Sequence, residues 1–255
     1  TRPSDMDAVA AAGAAYAGLV FFARSPRCVT PEQARAIALA APPGLARVGL
    51  FVDAGDAFFD AVLAVTPLDF LQLHGSESPE RMAELRARYG LPLIKAVGVA
   101  DADDLPRLTD YGRHADMLLV DAKPPRDAAL PGGNGLAFDW RLIAGRRWPV
   151  PWMLAGGLTP GTVADAVALT GATQVDVSSG VERAPGDKDP VSADGGAAQA
   201  LLAACQISPT QCARVLEGAV SLEYKDYLLV AVVNARAPGL QARQCLAAFD
   251  GLWCR

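Results

Sequence analysis

The sequence predicts an α/β protein built on a parallel sheet, either a (β/α)8 barrel or a doubly wound sheet. Short, mostly apolar runs such as AGLVFF, FLQL and MLLV alternate with amphipathic segments. Such runs read as strands buried on both faces and covered by helices. Polar residues and glycines cluster just after the runs: Arg24 to Arg27, Asp53, His74, Asp121, Gly156-Gly157 and Ser178-Ser179-Gly180. In a parallel barrel those positions line one face, where such enzymes do their chemistry.

The elements follow in order. A helix over 3–12 stops at Gly13, and 17–22 is a buried strand. Thr30-Pro31-Glu32-Gln33 opens the next helix with an N-cap, a first-turn proline and a capping-box glutamine. Strands follow at 47–52, 70–73, 93–97, 117–120, 152–155 and 174–177. Helices are expected at 56–64, from the Ser78-Pro79 cap to Tyr89, within 102–111, at 138–144, from the Thr159-Pro160 cap, and at 192–205. The count is uneven: the chain opens on a helix, and the helices outnumber the strands by one. A closed barrel then needs a strand ahead of Thr1. Without it, the strands at 17–22 and 174–177 are open edges, which are prone to mispairing.

With 255 residues the chain suits one large barrel or two small domains. Its 23 basic and 28 acidic residues leave a net charge of -5, which attracts neither nucleic acid nor an anionic membrane. No apolar run approaches the ~20 residues needed to span a bilayer, and the N-terminus has no signal pattern. A cytoplasmic protein is expected. The five cysteines (Cys28, Cys205, Cys212, Cys245, Cys254) and two histidines (His74, His114) match no zinc spacing, so no metal is expected and the thiols read as reduced.

Two consecutive βα loops, Leu154-Ala155-Gly156-Gly157 and Val177-Ser178-Ser179-Gly180, offer small residues whose backbone N–H groups can close on a phosphate. One such loop alone reads equally well as a tight turn. Asp121 ends an apolar strand at the barrel mouth, where a carboxyl group can act as a general acid, unless Lys123 or loop amides simply hold it. Arg27 could grip a carboxylate in bidentate fashion or lie at the surface. His74 fits a catalytic role or a hydrogen-bonded structural one. The Pro/Gly-rich loop over 131–135 could cover the site.

The strings SPRCVTPEQA, GLFVD, LDFLQLHGSE, LIKA, LLVDAKPP, GGNGLAFDW, LAGGLTP and VDVSSGVERAPGDKD occur in that order. Together they resemble the phosphoribosylanthranilate isomerase family over residues 1–205, a TIM barrel. The resemblance implies an Amadori rearrangement of N-(5-phosphoribosyl)anthranilate to 1-(2-carboxyphenylamino)-1-deoxyribulose 5-phosphate in tryptophan biosynthesis, with no cofactor. It makes Asp121 the general acid and Arg27 the holder of the anthranilate carboxylate. It puts Gly156, Gly157, Ser178, Ser179 and Gly180 at the phosphate, and His74 and Asp176 around the substrate. The family's general base is a cysteine on the strand ahead of Thr1, and none of the five cysteines here occupies that position. Family members end near Cys205. Residues 206–255 form a C-terminal extension with an apolar run at 227–233, which fits the vacant strand slot, misread coding sequence or an appended interaction element.

The partner is therefore a phosphorylated small molecule, bound by a monomer or homodimer. The alternatives are a catalytically impaired barrel that binds phosphate and anthranilate without turnover, and an assembly role for the tail. Indole-glycerol-phosphate synthase is the nearest enzymatic rival, and it would need catalytic lysines and a longer N-terminal segment.

Overall fold

The computed structural model describes residues 1–124 and 135–188. The expected helix over 192–205, the tail and loop positions 131–134 lie outside the described residues. The elements in chain order are α1 (Pro3–Ala11), β1 (Tyr16–Val20), α2 (Pro31–Leu39), β2 (Ala46–Phe51), α3 (Asp56–Leu63), β3 (Phe70–Leu73), α4 (Pro79–Tyr89), β4 (Leu93–Val99), α5 (Leu105–Tyr111), β5 (Met117–Ala122), β6 (Trp152–Leu154) and α6 (Val163–Thr170). The six strands form one parallel sheet in the order β1-β2-β3-β4-β5-β6. A doubly wound sheet reverses its strand order at a switch point. This sheet never reverses, which makes the architecture a (β/α) barrel.

The local chemistry explains most boundaries. The Thr30 hydroxyl accepts from the Gln33 N–H, and the Gln33 side chain accepts from the Thr30 N–H, the capping box that the sequence predicts. Ser78 caps α4, and Gly90 closes it at φ 66. Within 102–111 lies α5 as expected, preceded by a 3-10 turn, Ala102–Asp104, because Pro106 has no N–H to continue the turn into the helix. Two expected helices change form. The one over 138–144 is a 3-10 turn, Trp140–Ile143, that Gly145 ends at φ 66. After Thr159-Pro160 a turn comes first, with the Thr159 N–H donating to Thr162 Oγ1 (3.0 Å), and α6 starts only at Val163.

The strand expected over 174–177 is one bridge, Leu154↔Val175, with flanking bonds from the Leu154 N–H to the Gln174 carbonyl (3.0 Å) and from the Asp176 N–H to the Leu154 carbonyl (2.8 Å). The backbone then leaves the sheet for a 3-10 turn, Ser179–Val181, and an antiparallel hairpin that the sequence reading missed, β7 (Glu182–Ala184) and β8 (Asp187–Lys188). Among the described strands β1 pairs with β2 alone, and only its last residue has another backbone partner, the Val29 N–H donating to the Val20 carbonyl (3.0 Å). Between β1, α1 and Val175 lies a cavity of about 330 Å³. Tyr16 Oη and Gln174 Oε1 line it without a hydrogen-bond partner among the described residues.

Side chains alternate across each strand with a period of two. One set (Val48, Ile94, Ala96, Met117, Leu119, Met153 and Ala155) fills the barrel interior. The other set, including Phe51, Leu71, Leu73, Val97, Leu118, Val120 and Leu154, packs against the helices. Phe21, Phe51, Phe59 and Tyr89 form a row of ring contacts with centroids 4.3 to 5.6 Å apart. Continuing the inward set to the C-terminal ends of the strands brings up Gln72 on β3 and His74 just after it, Asp121 on β5 and Asp176 after the bridge.

A buried ion pair ties those ends together. Lys95 on β4 is fully buried on the helix-facing side. Its Nζ donates to the Gly75 carbonyl (2.7 Å), Glu77 Oε2 (2.7 Å) and the Leu73 carbonyl (3.3 Å). Glu77 also accepts from the N–H groups of Asp53 (2.9 Å) and Gly75 (3.0 Å). Burial pulls the Lys95 ammonium below the usual lysine range, with Glu77 opposing it. Removing one partner of such a pair strands the other charge. Lys95→Met should therefore lower unfolding stability by about 3–5 kcal/mol, read by urea denaturation. Adding Glu77→Leu should recover much of that loss.

Candidate active site

The inward residues open onto a cavity of about 100 Å³ at the C-terminal end of the barrel. Arg27, His74, Asp121, Gly156, Gly157, Asp176, Ser178 and Ser179 all line it. Gly180 does not, but it packs directly behind: a Cβ there would lie 2.3 Å from the Leu158 carbonyl oxygen. The structure thus brings together sequence-predicted residues from the end of β5, from the segments that follow β1, β3 and β6, and from the loop after the bridge.

Asp121 is 7% exposed. Its Oδ1 accepts from the Ala122 N–H (2.8 Å), and its Oδ2 lies 3.4 Å from His74 Nε2. Lys123 does not hold it; that ammonium bonds Asp104 at 2.6 Å. Gln72, inward and two residues before His74, sits with its amide nitrogen 3.1 Å from His74 Nδ1. An amide nitrogen is a donor, so Nδ1 accepts and the ring proton belongs on Nε2, facing Asp121. Sequence reasoning passed over Gln72, although its two-residue offset from His74 is visible in the string Gln72-Leu73-His74.

Gly156 and Gly157 both take left-handed backbone, at φ 86 and φ 64. That turn runs against neighbouring main chain. A Cβ on Gly156 would meet the Ala122 nitrogen at 2.7 Å, and one on Gly157 the Ala137 nitrogen at 2.7 Å. Small residues are therefore required here for close approach as well as for φ. Ser178 and Ser179 line the same cavity, at the start of the 3-10 turn.

Arg27 is not a surface arginine. Its side chain is 11% exposed, with Nε at 2.8 Å from Glu182 Oε1 and Nη2 at 2.7 Å from Glu182 Oε2. Nothing in the sequence pattern singles out Glu182, because the hairpin that carries it has no strand signal. Cys28, the one described cysteine, is exposed and outside the cavity. No cluster of metal-binding side chains occurs among the described residues, and no described helix is long and apolar enough to cross a membrane.

A family model for N-(5'-phosphoribosyl)anthranilate (PRA) isomerase matches residues 1–192. The chain is similar to the N-(5'-phosphoribosyl)anthranilate isomerase of Cereibacter sphaeroides, 65% identical over 187 residues, which cover 73% of this chain and 88% of that protein. It is 63% identical to the enzyme of Paracoccus denitrificans over 74% of this chain and 88% of that one. Among solved structures, the phosphoribosyl anthranilate isomerase of Thermotoga maritima superposes with a TM-score of 0.68 at 36% identity, covering 77% of this chain and 92% of that one. A phosphoribosyl anthranilate isomerase in complex with reduced 1-(o-carboxyphenylamino)-1-deoxyribulose 5-phosphate gives a TM-score of 0.67 at 33% identity, covering 79% and 94%.

The tight glycine turn gives its own expectation. Gly157→Ala forces an L-residue into left-handed backbone and a methyl group against the Leu136–Ala137 peptide. A loss of about 1–3 kcal/mol should follow in chemical unfolding, with faster amide exchange at Ala137.

Proposed function

The chain belongs to the N-(5'-phosphoribosyl)anthranilate isomerase family, and from that premise we propose how its cavity divides the reaction among its residues. The enzyme rearranges N-(5'-phosphoribosyl)anthranilate to 1-(2-carboxyphenylamino)-1-deoxyribulose 5-phosphate, a step of tryptophan biosynthesis. The observation that carries the assignment of roles is the convergence of Arg27, Asp121 and both glycine-serine loops on one cavity.

The phosphate binds the backbone of Gly156-Gly157 and Ser178-Ser179-Gly180, where N–H groups and a tight approach suit an anion. Arg27 holds the anthranilate carboxylate at the other end. The sugar then lies beside Asp121, which protonates the ring oxygen through Oδ2, the carboxylate oxygen not committed to a backbone N–H. Ring opening leaves a Schiff base between C1 and the anthranilate nitrogen. His74, with its proton on Nε2, steadies the Asp121 carboxylate that results. Loss of the C2 proton gives the enolamine, which tautomerises to the ketone. Asp176 lines the sugar side of the cavity.

The base for the C2 proton is proposed to be a cysteine on a strand that bonds the open side of β1. Support comes from the cavity beside β1 and from Val20 of β1, which borders both that cavity and the substrate cavity. The isomerase domain is taken as residues 1–205, with 206–255 as an extension. A monomer or homodimer in the cytoplasm goes with this reading.

Asp121→Asn keeps the shape and removes the acid. Turnover should fall by about 10²–10⁴-fold with little change in KM. An equal rise in KM with kcat preserved would instead make Asp121 a binding residue. For the base, a chain extended by a cysteine-bearing strand should turn over about 10²–10⁴-fold faster than the same chain with serine there. Equal rates would remove the thiol from the mechanism.

A further inference from the structure

Arg27 carries five N–H donors in a rigid planar fork. Glu182 takes the Nε side of that fork, at 2.8 Å from Nε and 2.7 Å from Nη2. Arg27 lines the substrate cavity and Glu182 does not; the Glu182 side chain is 3% exposed. The grip therefore comes from behind. It leaves the Nη1–Nη2 edge, the one that meets a second carboxylate in bidentate geometry.

The segment that carries Glu182 is itself fixed at both ends. Two residues earlier, Gly180 is pressed on the Leu158 carbonyl. Beyond β7, Gly186 closes on Pro26, where a Cβ would lie 2.5 Å from the Pro26 oxygen. Its carbonyl accepts from Thr1 Oγ1 at 2.9 Å, and Arg2 pairs with Asp187 at 3.1 Å. One short segment thus runs from the proposed phosphate loop, Ser178-Ser179-Gly180, to the back of Arg27.

We infer that Glu182 is a positioning residue that aims the free edge of Arg27 at the substrate carboxylate and sets its distance from the phosphate loop. The site thereby selects a phosphosugar whose aryl group bears an ortho carboxylate. A neutral side chain at position 182 leaves Arg27 free to swing on its flexible stem. The inference rests on the proposed contact between Arg27 and the anthranilate carboxylate.

Calorimetry on the full chain tests both levels. The two probes are reduced 1-(o-carboxyphenylamino)-1-deoxyribulose 5-phosphate and the phenylamino compound that lacks the carboxylate. The wild-type chain should prefer the carboxylate. Arg27→Ala should abolish that preference. Glu182→Gln should cut it about tenfold or more, the scale of a charge-assisted hydrogen bond lost, with the affinity for the phenylamino compound nearly unchanged. If Glu182→Gln folds poorly, the same ratio is read from Glu182→Asp, which keeps the charge at shorter reach. A preference that survives Arg27→Ala removes the carboxylate contact, and the inference with it. A preference lost in Arg27→Ala but kept in the Glu182 variant overturns the positioning role alone. So does equal weakening of both ligands, the mark of a merely structural residue.

Discussion

The strands β3 to β6 are buried on two sides, so each side chain along them must face either the barrel interior or the helices. This constraint leaves polar groups few places to go. On the inward set, Gln72, His74, Asp121 and Asp176 lie at the C-terminal ends, where they meet a cavity instead of another apolar layer. The active site is thus the termination of the hydrophobic alternation, and its residues come from different strands because each strand contributes only its last inward positions.

Such a site is no stiffer than the loops that follow the strands, and two buried ion pairs supply the stiffness. Lys95 and Glu77 hold the ends of β2, β3 and β4 from the helix-facing side, and their donors and acceptors are spent on the backbone of Leu73, Gly75 and Asp53. Desolvating two charges is expensive, and an apolar pair would do as well for stability. What an apolar pair would not do is hold three loop peptides at fixed directions beside His74. Arg27 and Glu182 differ in that one partner still faces the cavity, so the pair both anchors a loop and presents charge.

Much of this was legible in the sequence. Continuous apolar strands, the Thr30 and Ser78 caps and the polar residues at strand ends are local signals, and the structure keeps them with shifts of one or two residues. The cavity gathers Arg27, His74, Asp121, Asp176, Gly156, Gly157, Ser178 and Ser179 as the sequence suggested. The misses have a common physical cause. Glu182, the hairpin and the single bridge at Val175 depend on contacts between residues far apart in the chain: Arg27 with Glu182, Pro26 with Gly186 and Leu154 with Val175. Periodicity carries no information about such pairs. The helix after Thr159 starts late, at Val163, and the one expected over 138–144 is a 3-10 turn, for a local reason: Thr162 and Gly145 offer the backbone competing turns.

The environment of Asp121 also suits the general acid proposed for it. A carboxyl group that must deliver a proton cannot be clamped by a cation, because an ion pair holds it ionised. The contrast lies nearby. Burial alone would raise Asp104, yet the Lys123 ammonium at 2.6 Å and backbone N–H groups bring it below the ordinary aspartate range. Lys123 follows Asp121 by two residues and is committed elsewhere. Asp121 meets instead one backbone N–H on Oδ1 and a histidine at 3.4 Å on Oδ2. In the proposed mechanism the Nε2–H of His74 would steady the carboxylate that Asp121 becomes. Gln72 favours that arrangement by donating to Nδ1, so its amide sets which ring nitrogen of His74 turns to Asp121.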